Sequence, residues 1–235
     1  MIFKHSGDIG DLIYCLPVIK GFGGGELKLS YNSNIKNPLF KGFNENILES
    51  LRPLLLRQSY IYDVGVYKGE EDVINLDRFK ELPLSKINIC KETLKLFGLP
   101  LTYALEPWLF AESLRVARVI FHRSLRYQSK TPIILQRLKN YLNKFRNSCV
   151  FVGFKNEWES FCETLGEIVY YPTDDFWKLA CVIAGADIFI GNQSAPMAIA
   201  IGLGKPYVQE VCRYCPNCIF YERCNTVHLG GWQLC

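Results

Sequence analysis

Three short stretches of this chain combine residue types that do chemistry. The first is Gly7-Asp8-Ile9-Gly10-Asp11, set between the strand-like run Ile2 to His5 and the apolar helix-like run Leu12 to Lys20. Gly7 and Gly10 let the backbone pass close to a ligand. Asp11 would sit in the first helical turn, where a carboxylate either complements the helix dipole or, at the mouth of a cleft, acts as a general base. Acidic residues are routine in first turns, so spacing alone favours the cap. The second stretch is Asp187 to Pro206. An apolar run stops at Gly191-Asn192, Gln193 follows, and a run of small and apolar residues resumes at Ser194. Ser194 suits the N-cap, with Ala195 and Pro196 opening the helix. Such a strand-turn-helix gathers unpaired N–H groups at the positive end of a helix dipole, which is a seat for phosphate. The plain alternative is one more turn of an α/β domain. The third is Arg123-Ser124-Leu125-Arg126-Tyr127, after another strand-like run. Its two guanidinium forks match phosphate oxygens, or else belong to a solvated loop. Glu210, at a strand end, is placed to accept ribose hydroxyls or to form a surface ion pair.

Ten cysteines are present. Cys15, Cys90, Cys149, Cys162 and Cys181 lie scattered in apolar segments, as small buried residues of a reducing compartment do, which points to the cytoplasm. The other five, Cys212, Cys215, Cys218, Cys224 and Cys235, crowd the last part of the chain, and the first four have the short spacings of a metal knuckle, with His228 nearby. Four thiolates could close a structural tetrahedral zinc site, which leaves no open position for catalysis; an iron–sulfur cluster and free thiols are the alternatives.

The elements that must position these groups alternate. Strand-like runs are expected at Ile2 to His5, Leu27 to Tyr31, Ile61 to Tyr67 and Val73 to Leu76. Helical spacing covers Leu12 to Lys20, Asn44 to Leu56 and Ile87 to Phe97. Leu101 to Leu114, with Pro107 and Trp108, breaks the pattern and reads as a linker between a unit of residues 1–110 and a unit of residues 115–235. A second cycle follows. Its strands are expected at Val116 to His122, Cys149 to Phe154, Ile168 to Tyr171 and the run before Asn192, with Tyr207 to Val211 as the last. Its helices are expected at Ile133 to Phe145, Glu157 to Leu165, and Asp174 to Ala184, the last marked by Thr173. The fold class is therefore α/β, two parallel-sheet halves facing across a cleft, with ligands beyond the carboxyl ends of the strands. With 235 residues, 49% of them apolar, the chain is globular, and a formal charge of +4 suits an anionic ligand without requiring nucleic acid. No secretory pattern opens the chain, and no apolar run reaches membrane-spanning length.

The glycine-aspartate turn and the Val182 to Pro206 phrase together resemble the heptosyltransferase-like glycosyltransferases, family 9, of the two-domain GT-B architecture, in a compact phage-type form. Gly7 to Asp11 with Leu16-Pro17 matches the family's opening, and Ile190-Gly191-Asn192-Gln193-Ser194-Ala195-Pro196 through Gly204-Lys205-Pro206 matches its late phrase. The resemblance implies two Rossmann-like halves, the first on the acceptor side and the second binding the nucleotide sugar. It implies an inverting transfer that needs no catalytic metal, with Asp11 as catalytic base. Asn192, Gln193, Ser194, Ala195 and Pro196 would hold the donor diphosphate, Arg123 to Tyr127 would form a further donor-side loop, and Glu210 would contact the ribose. Gln193 stands where many members have Asp, and Ala198 where they have His. The acceptor it implies is a glycan, a lipid-linked sugar or a hydroxymethylated DNA base. The competing readings are a nucleotide-binding module without chemistry and an interaction protein whose cysteine knuckle docks nucleic acid.

Overall fold

A computed structural model describes residues 1–31, 43–83, 88–223 and 225–230. The chain runs β1 (Ile2–His5), α1 (Ile9–Gly21), β2 (Gly25–Leu29), α2 (Glu45–Leu55), β3 (Ile61–Val66), β4 (Val73–Asn75) and α3 (Ile89–Leu96). It continues through β5 (Val119–His122), α4 (Pro132–Phe145), β6 (Cys149–Phe151), α5 (Lys155–Leu165), β7 (Val169–Tyr170), α6 (Phe176–Gly185), β8 (Ile188–Asn192), α7 (Ala195–Gly202), β9 (Tyr207–Glu210) and β10 (Thr226–Leu229).

The strands form a four-stranded sheet in the order β3-β2-β1-β4 and a six-stranded sheet in the order β10-β9-β8-β5-β6-β7. Every pairing in both sheets is parallel. In each sheet the chain starts at an inner strand, winds outward to one side, and then crosses to the other side of the starting strand. That reversal is the doubly wound arrangement, and it opens a crevice at the carboxyl ends of the two strands flanking the switch. The crevices lie between β1 and β4 in the first sheet and between β5 and β8 in the second.

Strand periodicity sorts the core into two layers. Ile120 and Phe189 face one apolar cluster, which runs from β1 and β2 through α1 and α7; Val119, Phe121 and Ile190 face another, under α4 and α5. Residues Leu12 to Ile19 of α1 are all buried, because the helix is covered by the first sheet, α3 and α7. Pro17 sits inside α1 without breaking it. A proline there leaves the carbonyl of Ile13 without its helical donor, and the Trp108 indole N–H donates to that oxygen at 3.0 Å. The backbone N–H groups of Trp108 and Leu109 both donate to Gly202 O at 2.9 Å. The stretch from Leu101 to Leu114 is thus docked onto both α1 and α7, and it includes a 3-10 turn at Leu101–Ala104.

Several boundaries differ from the sequence expectations. Helix α6 is capped by Asp175, whose side chain accepts from Lys178 N at 2.7 Å, so Thr173 is not its cap. Tyr207–Glu210 is not the last strand, because β10 adds to its edge in parallel. A 3-10 turn, Leu76–Glu81, follows β4 where the sequence offers no clear periodicity. The expected start of α3 at Ile87 lies outside the described residues. Among the described residues, no helix is long and apolar enough to cross a membrane.

Candidate active site

The loops at the two switch points meet. Gly10, in the first turn of α1, faces the start of α7 so closely that a Cβ there would lie 3.7 Å from Ala195 N and 3.8 Å from Ser194 C. Asp8, the N-cap of α1, receives the Arg126 guanidinium from the second sheet's loop, Nη1 to Oδ2 at 3.0 Å. The glycine-aspartate turn, the 123–127 loop and the α7 N-terminus therefore border one place.

Helix α7 begins at Ala195, with Ser194 as N-cap and Pro196 in its first turn. The Ser194 hydroxyl donates back to Asn192 O at 3.1 Å and makes no cap bond, so it leaves the helix's leading N–H groups to another acceptor. Asn192, fully buried, ties the neighbouring loop to this turn. Its Oδ1 accepts from Ser124 N at 3.0 Å, and its Nδ2 donates to Ser124 O at 2.9 Å and Arg126 O at 2.6 Å. Tyr127 holds φ 57°, a left-handed value that a non-glycine residue adopts only when its surroundings enforce it.

On the other side, Asp77 and Lys80 rise from the turn after β4. Asp77 accepts from Ser6 N at 3.2 Å and from Ser6 Oγ at 2.7 Å, and Lys80 Nζ lies 2.6 Å from Asp77 Oδ1. Burial opposes the Asp77 charge, yet His5, Lys80 and Ser6 together hold its carboxyl below the ordinary value. The buried His5 accepts from Gly7 N at its Nδ1, which places its proton on Nε2, and burial pushes its pKa down to about 4.

Asp11 is the unusual acid of the group. Part of its surface reaches solvent, but protein atoms crowd the carboxyl on nearly all sides, and its pKa is pushed up to about 7. Burial is the main cause, Asp8 and Asp77 add to it, and Lys80 and Arg126 oppose it. A carboxyl poised there changes protonation at neutral pH, as a general base needs to.

Other candidate residues serve the loop itself. Arg123 and Glu210 are both buried and pair with each other, Nε to Oε2 at 2.7 Å and Nη2 to Oε1 at 2.9 Å. Glu210 also accepts from Ser129 N, and Arg123 donates to Ser129 O at 2.9 Å. The two side chains therefore fill one another's bonding positions and fasten the 124–131 loop to the end of β9. Gln193 points away from α7's first turn. Its Nε2 donates to Cys215 O at 2.8 Å and to Cys218 Sγ at 3.0 Å, and its Oε1 accepts from Cys212 N at 2.5 Å.

That bonding bears on the expected zinc knuckle. Cys212, Cys215 and Cys218 are free thiols, and among the described residues no three His, Cys, Asp or Glu side chains group to hold a metal ion. Cys224 lies outside the described residues, and His228 stacks edge-on against Tyr207 and Tyr221. The described thiols do not by themselves fit a zinc site.

A hollow of about 770 Å³ opens beside the 124–131 loop, walled in part by Gln128, Thr131, Val211, Cys212 and Tyr214. Gln128 Nε2 donates to Ser124 O, which connects this wall to Asn192 through one residue. Sequence reasoning singled out neither Asp77 nor Lys80, and treated Asp8 as part of a glycine turn. The signal for the first two was Val73 to Leu76 read as a strand: the turn beyond a parallel strand is where an α/β sheet places function.

No protein-family model and no curated protein matches this chain. Solved structures do. A glycosyl transferase family 9 protein from Veillonella parvula DSM 2008 superposes with a TM-score of 0.61 at 14% identity, covering 97% of this chain and 84% of that one. The fold is that of the family 9 glycosyltransferases. E. coli ADP-heptose LPS heptosyltransferase II gives a TM-score of 0.58 at 12% identity, covering 97% of this chain and 89% of that one. E. coli heptosyltransferase WaaC, solved with ADP-2-deoxy-2-fluoro heptose, gives 0.55 at 10% identity, covering 97% and 92%. The architecture is accordingly GT-B-like, with two parallel α/β sheets facing the shared site.

Proposed function

We infer that the protein is an inverting glycosyltransferase that moves a sugar from a nucleotide-diphosphate sugar to an acceptor hydroxyl without a catalytic metal. One observation carries this reading: Asp11, with a carboxyl that titrates near neutrality, stands one residue from the contact between Gly10 and the leading end of α7. A base and an anion seat are thereby adjacent, as a displacement at an anomeric carbon requires.

In the reaction, the acceptor oxygen attacks the anomeric carbon from the face opposite the diphosphate. Asp11 takes the hydroxyl proton as the new C–O bond forms. The bond from the anomeric carbon to phosphate oxygen breaks, and the nucleoside diphosphate leaves with the electron pair. The N–H groups at the start of α7 and the Arg126 guanidinium neutralise the developing charge, the work a divalent ion does elsewhere. Arg123 and Glu210 serve the donor indirectly by shaping the loop that carries Arg126. The hollow by Cys212 and Tyr214 takes the nucleoside. Residues 1–110 act on the acceptor side and 115–235 on the donor side. ADP-linked sugars are the first donors to test, since the E. coli WaaC structure was solved with an ADP-heptose analogue.

A second reading, a nucleotide binder that performs no transfer, is favoured by Gln193, whose amide is bonded into the cysteine-rich loop instead of facing a sugar. Incubating the protein with nucleotide sugars and a panel of glycan, lipid-linked and hydroxymethylated DNA acceptors separates the two. Acceptor-dependent release of nucleoside diphosphate is expected. Binding that raises the melting temperature with no release against any acceptor establishes the binder instead.

A further inference from the structure

The Asp8 to Arg126 ion pair has an unusual position. Asp8 is the N-cap of α1, yet its side chain makes no bond to that helix; the carboxylate reaches instead to the guanidinium on the opposite loop. The Arg126 backbone is fixed, because its carbonyl accepts from both Asn192 Nδ2 and Ser124 Oγ. Its side chain keeps 32% of its exposure and that of Asp8 keeps 16%, so the pair is reachable from solvent. Two residues along from Asp8, Gly10 borders the start of α7. A carboxylate oxygen is therefore bonded to one arm of an arginine at the edge of an anion seat. Carboxylate and phosphate oxygens are interchangeable acceptors for a guanidinium.

We propose that Asp8 is a built-in stand-in for the donor's phosphate: it holds Arg126 in the absence of donor and is displaced when a diphosphate enters, so that the guanidinium exchanges one anion for the other. The proposal deepens the transferase reading and rests on it. The exchange also has a consequence for the base. In the closed pair, the charge of Asp8 is partly cancelled by Arg126. Once Arg126 turns to the diphosphate, the uncancelled Asp8 carboxylate acts on Asp11, whose other titratable neighbours are Cys15 of α1, Asp77 and Lys80 from the turn after β4, and Tyr127, Cys215 and Cys218 from the second half. A like charge nearby increases the proton affinity of Asp11, so the base is strongest when the donor is loaded.

The test is direct titration of the intact protein with inorganic pyrophosphate and with ADP. Removing the competing carboxylate in Asp8→Asn should tighten pyrophosphate binding by about 2- to 5-fold, the range expected for loss of a partly exposed ion pair. Asp8→Ala should act in the same direction, which guards against a specific effect of the amide. Arg126→Gln should weaken binding by about tenfold or more, and Asp8→Asn added to it should give no further gain. If Asp8 merely orients Arg126 toward the ligand, Asp8→Asn and Asp8→Ala bind more weakly than the parent, and the exchange is refuted. Unchanged affinity in both refutes it equally. If the parent protein itself binds neither pyrophosphate nor ADP, the transferase reading falls and the exchange with it; parent binding without tightening in the variants overturns the exchange alone.

Discussion

Replacing Asp11 by Asn should make the protein more stable and less active at once. The carboxyl is pushed from 3.8 to about 7, chiefly by burial, so the fold disfavours its charged form. At about 1.36 kcal/mol per pH unit, that displacement is an upper bound of about 4 kcal/mol; residual solvent contact brings the expected effect to about 2–4 kcal/mol. The sign follows from linkage. Below pH 3.8 the side chain is protonated in both states and contributes nothing. Between there and about 7 the unfolded chain ionises while the native one does not, so the parent loses stability as pH rises, and above about 7 the loss is complete. Asn cannot ionise and escapes that loss. Urea unfolding of parent and variant at pH 4, 6 and 8 should give a stability difference near zero at the first and largest at the last. The buried His5 and His122, whose pKa values are lowered by burial, cost stability as pH falls below 6.5 in both proteins alike, and so cancel from the difference. Transfer by the variant should fall about 100-fold or more, and the parent's kcat/KM should rise with pH through about 7. A stability difference that does not change with pH would show that Asp11 is well solvated, and transfer at the parent rate would reduce it to a helix cap.

Two other substitutions probe the parts that position the site. Glu210→Gln breaks a buried pair and leaves the Arg123 guanidinium uncompensated, which should lower stability by about 3–5 kcal/mol, read as a shift of the urea midpoint at constant slope; a loss below about 1 kcal/mol would contradict the buried pairing. Asn192→Ala removes the side chain that joins the α7 turn to Ser124 and Arg126, and should cost about 2–3 kcal/mol of stability together with roughly tenfold in ADP affinity. Calorimetry that finds ADP affinity unaltered would separate that loop from donor binding.

Much of the local structure was legible in the residues. Asn192 followed by Ser194 and Pro196 is a turn and helix start whatever surrounds it, and α7 begins where those residue types prefer. The strands β1, β3 and β9 lie within the expected runs because short β-branched and aromatic segments bounded by glycine, proline or polar residues have few other uses. Strand β10 was not legible: Thr226–Leu229 follows a cysteine-rich stretch and gains its strand character only by pairing with β9. Nor was the fate of Gln193, whose amide is claimed by backbone groups 19 and 22 residues away.

Composition, periodicity and the two glycine-bearing turns by themselves determined an α/β chain with an acid after its first strand and a strand-turn-helix late in the sequence, because caps, turns and hydrophobic periods act over a few residues. Only the tertiary structure decided what those groups become. Strand order is set by hydrogen bonds between distant segments, and it is the placing of β4 beside β1 that brings Asp77 and Lys80 to the turn bearing Asp11. Desolvation is likewise collective: the same carboxyl on an isolated helix would be an ordinary acid, and it is burial within the folded chain, with Asp8 and Asp77 nearby, that lifts it toward neutrality.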